Sequence, residues 1–123
     1  MSNPIKFRVW CKNFNEWEKD EVIISNRGYI YHIGPKSGMT PLNLNNHVIQ
    51  RATGLVDKNG KDIYEGDIVK DSSLYYSKPR NKAIEWISTD TGEWGVDGWY
   101  NIPTKVENRE VIGNIFENKD LLP

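Results

Sequence analysis

The sequence holds one cysteine, Cys11, so no intramolecular disulfide can form and the core must do without such a staple. A single thiol fits a reducing, cytoplasmic setting. Long apolar runs are missing as well. The opening residues, MSNPIKFRVW, lack the apolar centre of a signal peptide, and no window approaches the ~20 apolar residues of a membrane helix. The chain therefore reads as soluble, with no membrane partner expected. Charge of one sign is also lacking: sixteen Lys and Arg stand against seventeen Asp and Glu. No large positive field exists to drive non-specific binding to nucleic acid or anionic lipid. There is no Walker loop, G-x-G-x-x-G or G-x-S-x-G, and no internal repeat, heptad or low-complexity stretch.

What is present points to β structure. A chain of 123 residues is the size of a single domain, residues 1–123, and can bury roughly two-thirds of its unfolded surface. In residues 5–10, Ile5, Phe7 and Val9 alternate with Lys6, Arg8 and Trp10, the period of a half-buried strand. Residues 11–17 carry Asn13 and Asn15 and read as a turn. Residues 21–25 and 29–33 are rich in β-formers and flank the reversal Asn26-Arg27-Gly28. Residues 34–44, with two Pro and two Gly, read as a loop. Further short strands are expected at 46–51, 63–64 and 68–70, and 72–82 reads as a polar loop. Residues 83–88 are expected to pair with 93–96 across Thr89-Asp90-Thr91-Gly92. A strand at 99–102 stops at Pro103, and another at 105–112 is kinked by Gly113-Asn114. The expected fold is mainly β, all-β or β with minor α: seven to nine strands in a small barrel-like or strongly bent antiparallel sheet, with a short C-terminal helix. The five Trp fit core filling and cross-strand pairs.

Residues 53–71, TGLVDKNGKDIYEGDIVKD, gather Asp57, Asp62, Glu65, Asp67 and Asp71. An EF-hand counted from Asp57 would need a ligand at Lys61, Gly at Asp62 and Glu at Ile68, and all three fail. A catalytic carboxylate pair needs convergence in one cleft, which this spacing does not supply. Turn chemistry explains the residues better. Asp57, Asn59 and Gly60 form a hairpin reversal, and Glu65, Gly66 and Asp67 a second one, their acids solvated. His32 and His47 are fifteen residues apart and Cys11 is distant from both. This matches no close ligand spacing of a structural zinc site. Neither a metal nor a cofactor is expected, and no catalytic group. Lys78, Arg80 and Lys82, beside Tyr75 and Tyr76, are the residues that would touch a nucleic-acid backbone and its bases, although a solvated loop is the simpler reading.

Three stretches together resemble a known family. IKFRVW (residues 5–10) is similar to its opening K-F-R-x-W strand. TGLVDKNGKDIYEGDIV (53–69) resembles its T-G-L-x-D-x-N-G-x-x-I-Y-E-G-D-I-V run, and EVIGNIFENKDLL (110–122) resembles its E-V-I-G-N-I-Y-E-N-P-E-L-L terminus. On these motifs the chain is identified as a member of the YopX-like domain family of bacteriophage and prophage proteins. It departs at Arg51 and Ala52, where the family has Gln and an aromatic, and at Lys119, where it has Pro. The resemblance implies a mainly β, barrel-like fold with some helix and oligomeric assembly. It also implies an accessory role in which a homo-oligomer binds a host or phage protein. No catalytic residue carries over.

Overall fold

The computed structural model describes residues 6–73, 77–87 and 98–123. Among them, strands dominate and pair in antiparallel ladders. The helical residues form two single 3-10 turns, Val106–Asn108 and Lys119–Leu121. The fold is mainly β, as the residue pattern predicts, with twelve short strands among the described residues. Phe7–Gln50 forms one compact unit, and a second takes in Lys6 and the described residues of Arg51–Pro123.

In the Phe7–Gln50 unit, β1 (Phe7–Cys11) and β2 (Glu16–Trp17) pair with Trp10 opposite Trp17. The two indoles meet edge to face at 4.9 Å, the geometry that their quadrupoles favour. Val9, Trp10 and Cys11 are buried, so the thiol serves here as a small apolar filler. β3 (Glu21–Ile24), β4 (Ile30–Gly34) and β5 (Gly38–Pro41) form a three-stranded sheet with β4 central. β5 falls where the Pro and Gly content of residues 34–44 predicts a loop. The fold tolerates Pro41 because β5 is an edge strand, where a missing N–H breaks no inner ladder. In this sheet His32 lies opposite both Val22 and Thr40.

β6 (His47–Val56) begins in this unit and ends in the other. The second unit continues with β7 (Asp62–Tyr64), β8 (Asp67–Asp71), β9 (Arg80–Ala83), β10 (Glu85–Ile87), β11 (Gly98–Tyr100) and β12 (Arg109–Asn114). β8 is the centre of a sheet ordered β12-β8-β9. Ile63, Val69 and Ile84 form a buried core cluster of this unit, with Trp99, Ile102 and Val111 packed against them. Each such Ile or Val contributes about 1.5–3 kcal/mol by leaving water.

Further local expectations meet a different structure. Polar residues 80–82 belong to strand β9, because β8 supplies a complete ladder from Asp71↔Arg80 to Ile68↔Ala83. β10 pairs with β11, Trp86 opposite Trp99, while 93–96 and the turn at 89–92 lie outside the described residues. Residues 106–108 form a 3-10 turn ahead of β12. At the C-terminus, where a short helix is expected, a turn leads to the single 3-10 turn Lys119–Leu121. The Asn114 side chain accepts from the N–H groups of Phe116 (3.0 Å) and Glu117 (2.9 Å), which closes a local turn in place of a helical start. The β12–β8 ladder slips register between Val111 and Gly113, a bulge that bends the strand.

Candidate functional site

In the Phe7–Gln50 unit, an open cleft of about 560 Å³ is lined by Cys11, Glu18, Asp20, His32 and His47, among others. Glu18 follows β2 directly, and its N–H donates to the Val9 carbonyl (2.8 Å), which holds the segment beside β1. Asp20 stands just before β3, and its N–H donates to Glu18 Oε1 (3.2 Å). That bond closes a local bend and keeps the two acids together on the cleft wall. His32 sits mid-strand in β4, with Nε2 2.8 Å from Asp20 Oδ2 and 3.8 Å from Glu18 Oε1. Its Nδ1 is 3.4 Å from Thr40 Oγ1. His47 opens β6, with Nε2 3.4 Å from Glu18 Oε2.

Glu18 thus stands between the two imidazoles, one at each carboxylate oxygen. The Glu18 and His47 side chains are 16% and 14% exposed, so both groups are only partly solvated. Among the described residues no Lys or Arg lies within 4 Å of the Glu18 or Asp20 carboxylate. Sequence spacing misses this cluster because antiparallel pairing, and not local sequence, carries His32 and His47 to Glu18. The one local signal is the Glu18-x-Asp20 pair ahead of a strand.

The acidic signature is arranged differently. Asp57 is buried, and its carboxylate accepts from the N–H groups of Asn59 (2.9 Å), Lys61 (2.9 Å) and, on β12, Val111 (2.9 Å). Burial pushes its pKa up, but these backbone bonds and the Lys61 charge outweigh it and hold the carboxyl below its ordinary value. Gly60 and Gly66 take φ of +80° and +84°, which closes the turns at 57–60 and 65–66. Asp67 is also buried and accepts from the Tyr64 N–H (2.8 Å). Glu65 is half-buried, its carboxylate 3.7 Å from Arg51 Nη2. Asp71 is buried, 3.4 Å from Lys82 Nζ, and Asp62 binds Lys6 at 3.0 Å on the surface. Three of the five acids are therefore buried, against the solvated state expected of turn acids. Each anchors local backbone, and they do not converge on one cleft.

Gly113 and Asn114 end β12. Asn114 Nδ2 donates to Glu117 Oε1 (2.9 Å), and its N–H donates to Asn118 Oδ1 (3.2 Å). Of the basic group, Lys78 and Arg80 are exposed, while Lys82 is half-buried against Asp71. Tyr75 and Tyr76 lie outside the described residues. Arg51, where the family has Gln, holds its guanidinium 5.1 Å from the Trp86 ring and 5.3 Å from the Trp99 ring.

A family model described as YopX protein matches residues 6–123. The chain belongs to the YopX protein family. Two solved structures are similar. Protein EF1440 from Enterococcus faecalis is 27% identical, covers 99% of this chain and 100% of its own, and superposes with a TM-score of 0.57. The yopX protein of Bacillus subtilis is 20% identical over 95% of this chain and 97% of its own, with a TM-score of 0.55, a likeness of fold. No similar sequence is found among curated proteins. The YopX signature at residues 53–69 is thus the turn system that Asp57 and Asp67 anchor, while the cleft around Glu18 lies outside that signature.

Proposed function

We propose that this YopX-family chain is a non-enzymatic accessory protein that self-associates and, as a homo-oligomer, binds a host or phage protein in the host cytoplasm. Barrel-like closure of the bent strands is part of this reading. The observation that carries it is the β3-β4-β5 sheet. Among the described residues β3 and β5 each pair only with β4, so both outer edges face away from a strand partner, with β5 one donor short at Pro41. Apolar side chains sit there in the open, with Ile24 on β3 43% exposed and Met39 on β5 60% exposed. An unprotected edge with apolar residues is a template for pairing with a second chain. Light scattering across the micromolar range tests the self-association. The expected outcome is an oligomer that Ile24→Lys or Met39→Lys shifts toward monomer, and a strict monomer at every concentration would count against it.

A second reading is a nucleic-acid-associated β-barrel protein using the 78–82 segment. It is favoured by the exposure of Lys78 and Arg80 and by the Arg51–Trp86–Trp99 group, where the partly exposed Trp86 ring meets Trp99 edge to face beside a guanidinium, since an open aromatic face suits a single-stranded base. Lys82 adds little charge because Asp71 faces it. Replacing Lys78, Arg80 and Lys82 with Ala should weaken binding and flatten its salt dependence. No binding of single-stranded DNA or RNA at low salt would remove this reading.

A further inference from the structure

We propose that Glu18, Asp20 and His32, supported by His47, bind one divalent transition-metal ion, with Zn2+ the best match to the donor set. This is independent of self-association. One ligand atom from each of Glu18, Asp20 and His32 lies within 4.8 Å of the other two. Around tetrahedral zinc, with bonds near 2.0–2.1 Å, neighbouring ligand atoms stand about 3.3 Å apart. The separations of 2.8 Å and 3.8 Å about His32 Nε2 bracket that value, so small side-chain rotations suffice to admit the ion.

Charge and tautomer point the same way. Two carboxylates share the cleft, and no Lys or Arg among the described residues lies within 4 Å of either, Lys19 on the cleft wall pairing instead with Glu16 at 3.8 Å. A bound cation would compensate them directly. His47 Nδ1 lies 2.8 Å from the Asn43 carbonyl oxygen, which only accepts, so Nδ1 carries a hydrogen. In neutral His47 the Nε2 lone pair then faces the Glu18 carboxylate at 3.4 Å, acceptor against acceptor. A metal ion at Glu18 turns this repulsion into coordination or charge balance. The Nδ1–H···O=C bond is also the outer-shell contact that orients metal-binding imidazoles, and Thr40 Oγ1 is placed to do the same for His32. Imidazole with carboxylate selects zinc and its first-row neighbours over Mg2+ and Ca2+, which prefer all-oxygen sites. The ion would tie the segment before β3 to β4, and the cleft gives it a way in from solvent.

The test is calorimetric titration of chelator-treated full-length protein with Zn2+ alone. One ion should bind per chain at micromolar or tighter affinity, and Mg2+ should give no saturable heat. Co2+ should show the visible absorption of a tetrahedral site. Asp20→Asn, which keeps size and hydrogen bonding, and His32→Ala should each abolish or weaken binding by at least roughly tenfold, and His47→Ala by roughly ten- to a hundredfold. Asp120→Asn, in the other unit, should leave binding unchanged. Absence of Zn2+ binding by the folded wild-type protein would overturn the proposal, as would affinity that Asp20→Asn and His32→Ala leave intact.

Discussion

Asp57 anchors the YopX signature to a distant strand, and Asp57→Ala removes the acceptor of three backbone N–H groups at once. Two of them, Asn59 and Lys61, lie in an exposed turn where water can reach, while the third, Val111, belongs to β12. A buried donor left without a partner costs about 1–3 kcal/mol and each turn bond that water can replace about 0.5–1.5 kcal/mol, so the Ala variant should lose about 2–6 kcal/mol. That is a large share of the roughly 5–15 kcal/mol that holds an ordinary domain together. Asp57→Asn keeps one acceptor for the turn but turns an NH2 toward the Val111 N–H, with an expected loss of about 2–4 kcal/mol. Urea unfolding measures the total. Hydrogen exchange at the Val111 amide reads the long-range bond alone, which matters because two compact units need not unfold in one transition. The carboxyl is held below its ordinary value, so its contribution is fully present above the unfolded pKa of about 3.9 and is lost as pH falls through the lower folded value. Asp57→Asn should therefore remove part of the acid-side loss of stability. An Asn variant within about 0.5 kcal/mol of wild type, with Val111 exchange unchanged, would refute this account.

Two further perturbations follow from the same kind of packing. A Cβ built on Gly113 would lie 2.5 Å from Asn118 Oδ1 and 2.7 Å from its Cβ. Gly113→Ala should therefore destabilise by about 1–3 kcal/mol in urea unfolding, and adding Asn118→Gly should recover part of that loss. Buried Arg109 donates from Nε to the Val56 carbonyl (2.7 Å) and from Nη1 to the Pro103 carbonyl (3.0 Å). Arg109→Met should lose about 2–4 kcal/mol, and Arg109→Lys should not restore it, because an ammonium lacks the planar fork. A Lys variant as stable as wild type in the same assay would show that charge alone suffices there.

What the sequence by itself determined is short-range. The Asp57-to-Gly60 reversal, the Glu65-Gly66 turn and the β-branched runs are written in residues within four of one another, where backbone preference and turn chemistry act directly. The family motifs are equally local strings, which is why membership was legible. Strands β5 and β9 were not legible: a Pro-bearing edge and a polar segment become strands only when β4 and β8 offer their backbone groups. Only the tertiary structure decided which acids leave water, since the burial of Asp57 depends on the Val111 N–H fifty-four residues away. It also decided that His32 and His47 meet on either side of Glu18. Antiparallel register sets such convergences, and register depends on which faces are buried together, a property that no local window of the chain contains.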